Sequence, residues 1–581
     1  MLDEYFAVPY SATRVADRAL IAFVGDAAPV RASPVDMIAL RACVGLRPLA
    51  QHCARVWATG QFSTPDKMAG SLERLIEQGA LRPRRSLPAV WPHARTGVRP
   101  EVVVFITADR PESLARSLVR ARKHFHDRSR PLPVLVVDGS VDEVVSAAAT
   151  ERHCVRIGRA NSQILIEDIV AGGVPRAVAQ YALSPGPIGA NRNLALLLTT
   201  GRAILMCDDD VLLTPWRGEE QSEAALVGHV DARRWEFFSS RRDALNLVEA
   251  PVSVSDEHGA FLGASLGSVI EGSAGSLLAF DACSHLLSAW CDRRDMSIVM
   301  TFSGLAGDSA RHCSHSVLFR PGPVRDLLRT TPSQLTTALR YREARIIAER
   351  PLITHESGCM SYCMGVDNRR ILAPFLPVGR GEDTVFGAVV MTVAPDALAA
   401  HIPVGICHDS HRDSSYGDGS IPSASGTRLS EIVTGMVAWL SRLCRGTCDE
   451  ARTAWLGRAL QELAEQSTVH QWQQMVWEIT VERRATSVAE LHRSITVETS
   501  CQEWVDAIHD YSSQLAASVV DGAFRAPSDV AGDGPTGRLT RRAVADYGRV
   551  LQWWPRMREV AVRSPAFAAV HERLLVGKAG D

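Results

Sequence analysis

No stretch of this 581-residue chain approaches the roughly 20 consecutive apolar residues that a membrane-spanning helix needs, so no transmembrane segment is expected. The first residues, MLDEYFAVPY, carry no basic stretch followed by an apolar run, and no export signal is read there. Charge of one sign is also missing: 63 basic residues against 65 acidic ones leave a formal net charge of −2. A general nucleic-acid binder carries a basic surplus, so nucleic acid is not an expected partner. The 13 cysteines include no C-x-x-C pair. Their odd number and wide scatter read as reduced, buried thiols of a cytoplasmic protein, not as a disulfide framework. Cys359/Cys363 and Cys444/Cys448, each four apart, suit one face of a helix, and His312-Cys313-x-His315 is a weak zinc candidate.

At this length, and with 46 % hydrophobic residues, the chain should divide into several cores. Residues 1–95 read as a small winged-helix-like domain. In STPDKMAGSLERLIEQGALRPR, Thr64 is the expected N-cap and Pro65 the first helical residue. Met68, Leu72, Leu75 and Ile76 follow at helical spacing, and Gly79 ends the helix. Such a unit can bind DNA, dock a peptide, hold copies of the chain together as an oligomer, or simply pack. The stretch 84–100, with its prolines and no period, reads as a linker.

A central domain, 96–425, begins with a change of pattern. EVVVFITADR is a wholly apolar strand, PESLARSLVRARKHF an amphipathic helix with Leu114, Leu118 and Val119 on one side, and LPVLVVDGS a second buried strand. Strand, helix, strand in that order is a parallel βαβ unit. GANRNLALLLTTG supplies a further helix, leading into the strand of GRAILMCDDDV. Beyond about Arg428 the periods are helical: Ile432, Met436, Trp439/Leu440 and Leu443, then 451–465, 470–484, 500–519 and 538–560. Residues 426–581 are therefore an α-helical C-terminal domain with no chemistry legible in it.

Open α/β sheets bind ligands beyond the carboxyl ends of their strands. Here three such ends carry polar groups: Thr107 with Arg110, Asp138, and the acidic tip Asp208–Asp210. Three consecutive carboxylates at the end of a buried strand repel one another and resist desolvation, so a positive partner is expected. Clustered carboxylates are hard oxygen ligands for Mg²⁺ or Mn²⁺, whose shell is commonly completed by waters and substrate phosphates. A solvated loop or a helix cap is the structural alternative.

These residues carry a resemblance. VVVFITADRPESLARSL, LPVLVVDGS and GPIGANRNLALLLTTGRAILMCDDDV, in that order, resemble the nucleotide-binding half of GT-A glycosyltransferases, family 2 in particular. The matching features are Thr107 at the first strand end, Asp138-Gly139-Ser140, Gly189 to Arg192-Asn193, and a D-x-D strand end. The likeness covers about 101–413 and implies a Rossmann-like α/β fold for nucleotide-diphospho-sugar transfer. It implies that Thr107 and Asp138 contact a nucleotide base, with Arg110 at the same nucleotide-sugar site. Arg192 would then approach the diphosphate, Asp208 or Asp209 the ribose, and Asp210 the metal.

PVGRGEDTVFG resembles the family's Gly-Glu-Asp-x-x-Phe segment, which makes Asp383, with Glu382 as substitute, the general base for an acceptor hydroxyl. Alone, that segment reads as an acid-rich helix start. In HIPVGICHDSHRD, His408 ends a strand where GT-A enzymes use a His as a further metal ligand, and His411 competes for the place. SSYGDGSIPSASG, 414–426, is either a loop that orders over bound nucleotide or a linker. Asp308 and Asp367-Asn368-Arg369 are further polar candidates in 215–375, a region with features suited to shaping a sugar and acceptor pocket, ordinary surface loops being the alternative.

There are departures: VVDGS has one Asp where many relatives have two, and no Q-x-x-R-W motif follows the acids, which argues against a polymer-extruding synthase. The expectation is a metal-dependent hexosyltransferase using Mn²⁺ or Mg²⁺. It would move a sugar, with inversion favoured, from a nucleotide-diphosphate donor, UDP by frequency in the family, to a peptide, protein or natural-product acceptor. Two other readings stand. One is a non-catalytic GT-A-like scaffold joining the flanking domains. The other is a sugar nucleotidylyltransferase, whose glycine-rich basic loop is missing from FITADRPES.

Overall fold

VVVFIT is apolar on both faces and so belongs inside a sheet covered on both sides. It forms the strand Val102–Thr107, all six residues buried. The computed structural model describes residues 4–7, 10–15, 18–23, 30–43, 47–83, 95–128, 131–142, 154–219, 222, 225–227, 232–272, 277–278, 296–311, 313–320, 322–355, 358–370, 372–410, 412–416, 427–441, 443–495, 501–519, 525–530, 532–534 and 536–576. They form a mixed α/β protein with a large sheet and a helical C-terminal region. Most of the linker at 84–100, His312, His411 and residues 417–426 of the Ser/Gly-rich segment lie outside the described residues.

Among the described residues the sheet has thirteen strands. Cys154–Ile157, Val134–Asp138, Val102–Thr107 and Ala203–Asp208 run parallel in that spatial order. Next comes Cys363–Asp367, antiparallel to Ala203–Asp208. Ser297–Asp308 is antiparallel to that strand, and Ala397–His408 is parallel to Ser297–Asp308. Two reversals restore the original direction. The carboxyl ends of five strands therefore share one edge of the sheet: Thr107, Asp138, Asp208, Asp308 and His408.

Successive side chains of each strand go to opposite faces. Val102, Val104 and Ile106 join a core under the helices Arg159–Ala171, Arg176–Leu183, Ile188–Leu198 and Glu382–Val393. Val103 and Phe105 pack on the other face with Leu114, Leu118, Ala121 and Phe125 of the helix Pro111–Arg128. Val119 lies outside this set, 56 % exposed, because one residue beyond Leu118 turns the helix by about 100°.

The C-terminal helices Leu429–Ser441, Asp449–Gln466, Val469–Arg493 and Arg538–Arg563 extend the first core. They are tied to it by polar contacts as well. The Trp554 indole N–H donates to the Leu372 carbonyl at 2.6 Å, and the Tyr547 hydroxyl donates to the Pro374 carbonyl at 2.9 Å. No helix among the described residues is long and apolar enough to cross a membrane.

In the N-terminal region, the helices Pro34–Ala42, Leu49–Trp57 and Pro65–Glu77 adjoin a three-stranded antiparallel sheet with Glu4–Ala7 between Arg47–Pro48 and Leu81–Pro83. Thr64 caps Pro65–Glu77 by accepting from the Lys67 N–H, and Gly79 follows its end with a φ of 71°. A second sheet, Tyr10–Val15, Arg18–Phe23 and Val30–Ala32, was not legible in the sequence. Met37, Leu40, Leu72 and Leu75 form one core with Val227, Ile353 and Leu398 of the large sheet.

One further expectation is corrected. Cys359 and Cys363 share no helix, since Cys363 opens a strand, and Cys448 sits at a helix N-cap. Within 215–375, SIVMTFSGLAGD forms the strand Ser297–Asp308, buried at all twelve positions. Gly307, at φ 109°, lets that strand approach its neighbour closely. A Cβ there would lie 2.3 Å from the His408 carbonyl oxygen.

Candidate active site

Asp209 and Asp210 form the turn between Ala203–Asp208 and Val211–Trp216. The second of these strands pairs antiparallel with Ala397–His408, with Val211 opposite His408. That register sets Asp210 against the imidazole: His408 Nε2 lies 3.2 Å from Asp210 Oδ1. The other ring nitrogen, Nδ1, is 2.5 Å from the Asp308 carbonyl oxygen. The chain thus brings Asp210, His408 and Asp308 together from three strand ends.

Positive partners for the acidic tip come first from the protein itself. Arg110 donates to Asp209 Oδ1 at 2.7 Å and to Asp210 Oδ2 at 2.8 Å. Arg192 donates to Asp208 Oδ1 at 2.5 Å. His408 is the third: burial opposes its charge, but Asp210 beside it outweighs that and raises its pKa to about 9. Burial would raise Asp210 as well, yet His408 and Arg110 hold it well below the usual carboxylate range. Asp209, with burial dominant over Arg110, is pushed up to about 7.

The three aspartates have different surroundings. Asp209 is committed inward, since the Thr107 hydroxyl donates to its Oδ2 at 2.7 Å. Asp208 is the more open carboxylate, its side chain 23 % exposed. The resemblance sends Arg192 to a diphosphate, and here a correction is needed. Its side chain is 1 % exposed, enclosed between Asp208, the Ser361 carbonyl and the Phe375 ring. Arg192 is therefore set to hold Asp208 in place from inside the wall.

The base-contact expectation for Thr107 and Asp138 is modified in the same way. Asp138 is buried, with Arg156 Nε donating to Oδ2 at 2.8 Å and the Ser140 N–H to Oδ1 at 2.8 Å. Both side chains fix the shape of the crevice wall. The exposed polar groups lie above them, with Asp109 accepting the Val141 N–H at 2.7 Å. Arg156 gave no sequence signal, because an Arg inside the short strand Cys154–Ile157 reads as an outward-facing residue.

Asp383 and Glu382 open the helix Glu382–Val393, whose N-cap Gly381 has a φ of 81°. Glu382 turns inward, with Arg192 Nε 3.6 Å away. Burial, and then Asp383, push its pKa up to about 7 despite that guanidinium. Asp383 is half-buried, held by the Thr384 N–H at 2.8 Å and the Ser361 hydroxyl at 3.4 Å. Its charge bears on both Arg192 and Asp208. It is thus the more accessible acid of the pair.

A raised folded-state pKa means that Glu382 binds its proton more tightly in the folded chain. Its stabilising contribution is fully present below about pH 4.5 and is lost as pH rises through 7. Glu382→Gln should change stability little at pH 5 and add on the order of 2–3 kcal/mol at pH 8. Thermal melts at the two pH values check this; an unchanged melting temperature at pH 8 would exonerate the buried carboxyl.

Among the described residues no group of three His, Cys, Asp or Glu side chains forms a ready metal cage. Asp210 and His408 would be two ligands for a metal ion. Cis ligands of an octahedral ion, each about 2.1 Å from it, stand about 3 Å apart, which matches their 3.2 Å separation. With Nδ1 bonded to a carbonyl, Nε2 presents its lone pair when neutral. The pair fits a divalent ion, with the remaining positions left to phosphate and water.

The wall beside His408 was read only in part from the sequence. Asp409 is held by Arg116 at 2.5 Å, and its N–H donates to the Asp210 carbonyl at 2.9 Å. Asp308, a candidate by composition, accepts the Ser410 hydroxyl at 2.5 Å. Asp367-Asn368-Arg369 is structural, with Asp367 paired to Arg369 at 2.7 Å and the Asn368 carbonyl accepting from Arg558 at 2.9 Å. Of the weak zinc candidate, His315 packs against Tyr511 in a tilted ring pair with centroids 4.9 Å apart. Set beside known proteins, the chain matches no family model and no curated sequence.

Proposed function

We propose that this protein is a metal-dependent glycosyltransferase of GT-A type, moving a sugar from a nucleotide-diphosphate donor to an acceptor nucleophile. The observation that carries the reading is the convergence of five strand ends on one edge, with the Asp210–His408 pair at cis-ligand spacing and Asp383 across from Asp208. Asp208 is the open carboxylate suited to a ribose hydroxyl. Asp210 and His408 would hold Mn²⁺ or Mg²⁺; when bound, the ion neutralises charge developing on the leaving diphosphate. Asp383, half-buried at a helix start, takes the acceptor proton, and Arg192 keeps Asp208 aimed. UDP is the favoured nucleotide, the acceptor is a peptide, protein or natural product, and inversion is the favoured outcome. The N-terminal unit is read as winged-helix-like.

A second reading is favoured by one observation: Arg110, Arg192 and His408 already compensate the acids. A scaffold without catalysis would need no metal. Calorimetry separates the two. The enzyme reading expects UDP to bind only with Mn²⁺, and Asp210→Asn to abolish that binding. Mn²⁺ affinity should also rise from pH 6 to pH 9, because the ion displaces the His408 proton. Metal-independent UDP binding, or none at all, would leave the scaffold.

A further inference from the structure

At the far side of the same sheet, Arg233–Phe237 is an edge strand. Among the described residues its one ladder is antiparallel to Glu343–Ala348. The Phe238 N–H donates to the Glu343 carbonyl at 3.0 Å, which fixes the phase of that ladder. Arg234 and Glu236 therefore turn their peptide groups toward the partner strand, whereas Trp235 and Phe237 turn theirs outward. At Phe237 the outward groups are met by one side-chain amide. Gln334 Oε1 accepts the Phe237 N–H at 3.1 Å, and its Nε2 lies 3.5 Å from the Phe237 oxygen.

One step along, nothing equivalent is supplied. The outward N–H and C=O of Trp235 have no hydrogen-bond partner among the described residues. Trp235, 4 % exposed, is one of the residues lining an open cavity of about 490 Å³, whose other walls include Pro323 and Leu327 of the helix Pro323–Thr330, Gln334 and Glu349. An exposed edge is a template for another strand unless it is covered, charged or bent. Here Gln334 stands where a neighbouring strand's peptide group would, and the groove continues past it.

We propose that this edge docks an extended peptide, which pairs through Trp235 in a lane that Gln334 closes at Phe237 and carries an acidic and a basic residue two places apart. The backbone requirement comes from Trp235: a donor and an acceptor at strand spacing are answered by a peptide. The charges come from the strand's outer face. Arg234 and Glu236 point to one side with 48 % and 46 % of their side chains exposed. Their own partners are distant, Glu349 at 3.9 Å and Arg345 at 3.7 Å, so both can be recruited. Opposite charges across a ladder stabilise it, so the peptide's acid faces Arg234 and its base faces Glu236. The residue between them points toward Pro323 and Leu327 and is apolar.

This docking holds whether or not the protein is a glycosyltransferase. If it is one, the placement is useful. Phe237 pairs with Ala344, Ala344 with Gly307, and Gly307 with His408. A strand added beyond the one that holds Phe237 stands four ladder steps, roughly 19 Å, from His408, a distance spanned by about six extended residues.

The test uses the full chain and two fluorescein-labelled heptapeptides of alternating Thr and Val, with Glu and Arg at positions three and five, or the reverse. One order should bind at least about tenfold more tightly than the other, and N-methylation of its central residue should weaken it by about tenfold or more. At saturation, hydrogen exchange of the Trp235 amide should slow. The exposed double variant Arg234→Glu with Glu236→Arg should invert the preference between the two peptides. No binding of either peptide at millimolar concentration overturns the proposal. So does equal binding of the N-methylated form, or unchanged exchange at Trp235 in the wild-type chain.

Discussion

An Asp383→Asn variant should bind Mn²⁺ and UDP as the parent does, and transfer sugar about 10²–10⁴-fold more slowly. The expectation rests on what surrounds each acid. Asp383 touches the Ser361 hydroxyl and the Thr384 N–H, and neither contact requires a negative charge. The amide can keep the Thr384 contact, so the helix start survives. Asp210 and His408, which would hold the ion, are not in contact with Asp383. Binding and proton transfer are therefore separable at this residue. Donor binding by calorimetry and transfer by product analysis check the two halves. Full transfer by the Asn variant would move the base elsewhere, while loss of donor binding would make Asp383 part of the nucleotide site.

Much of this arrangement was legible before the structure, for an identifiable reason. Apolar strands with polar tips are local features, and Val102–Thr107, Val134–Asp138 and Ala203–Asp208 follow the sequence pattern almost residue by residue. The sharing of one edge by Asp308 and His408 was not legible, because it depends on two antiparallel steps through Cys363–Asp367. Unlike the strand–helix–strand order at 101–138, nothing local in these strands states their direction. The acidic tip was rightly seen to need positive charge. Which charge it would be depends on long-range placement: Arg110 is 99 residues from Asp209, and Asp210 is 198 residues from His408. Nothing in the sequence hinted that Gly304 and Gly307 lie where close strand contact requires the absence of a Cβ.

The largest stability effect should come from Arg192. Its guanidinium is enclosed, 2.5 Å from Asp208 and 3.6 Å from Glu382, and it donates to the Ser361 carbonyl at 3.2 Å. Arg192→Met keeps the apolar stem against Phe375 but leaves two carboxylates without their cation. Breaking a buried pair from one side costs about 3–5 kcal/mol, a large share of the roughly 5–15 kcal/mol that holds a folded chain together. The cost depends on pH. Burial already raises both acids, and Arg192 is what pulls each back down. Without it their pKa values climb further above those of the unfolded chain, so at pH 8 the folded chain must either hold protons that the unfolded chain has released or bury unpaired charge, a cost that shrinks toward pH 5. Urea unfolding should therefore show a modest loss at pH 5 and a severe one at pH 8. Arg192→Lys restores charge without the forked donors and should fall between the two, with weakened donor binding because Asp208 is no longer held in one orientation. If Arg192→Met unfolds at the parent's urea concentration at pH 8, the acids are not buried against one another, and the account of the site given above fails at its centre.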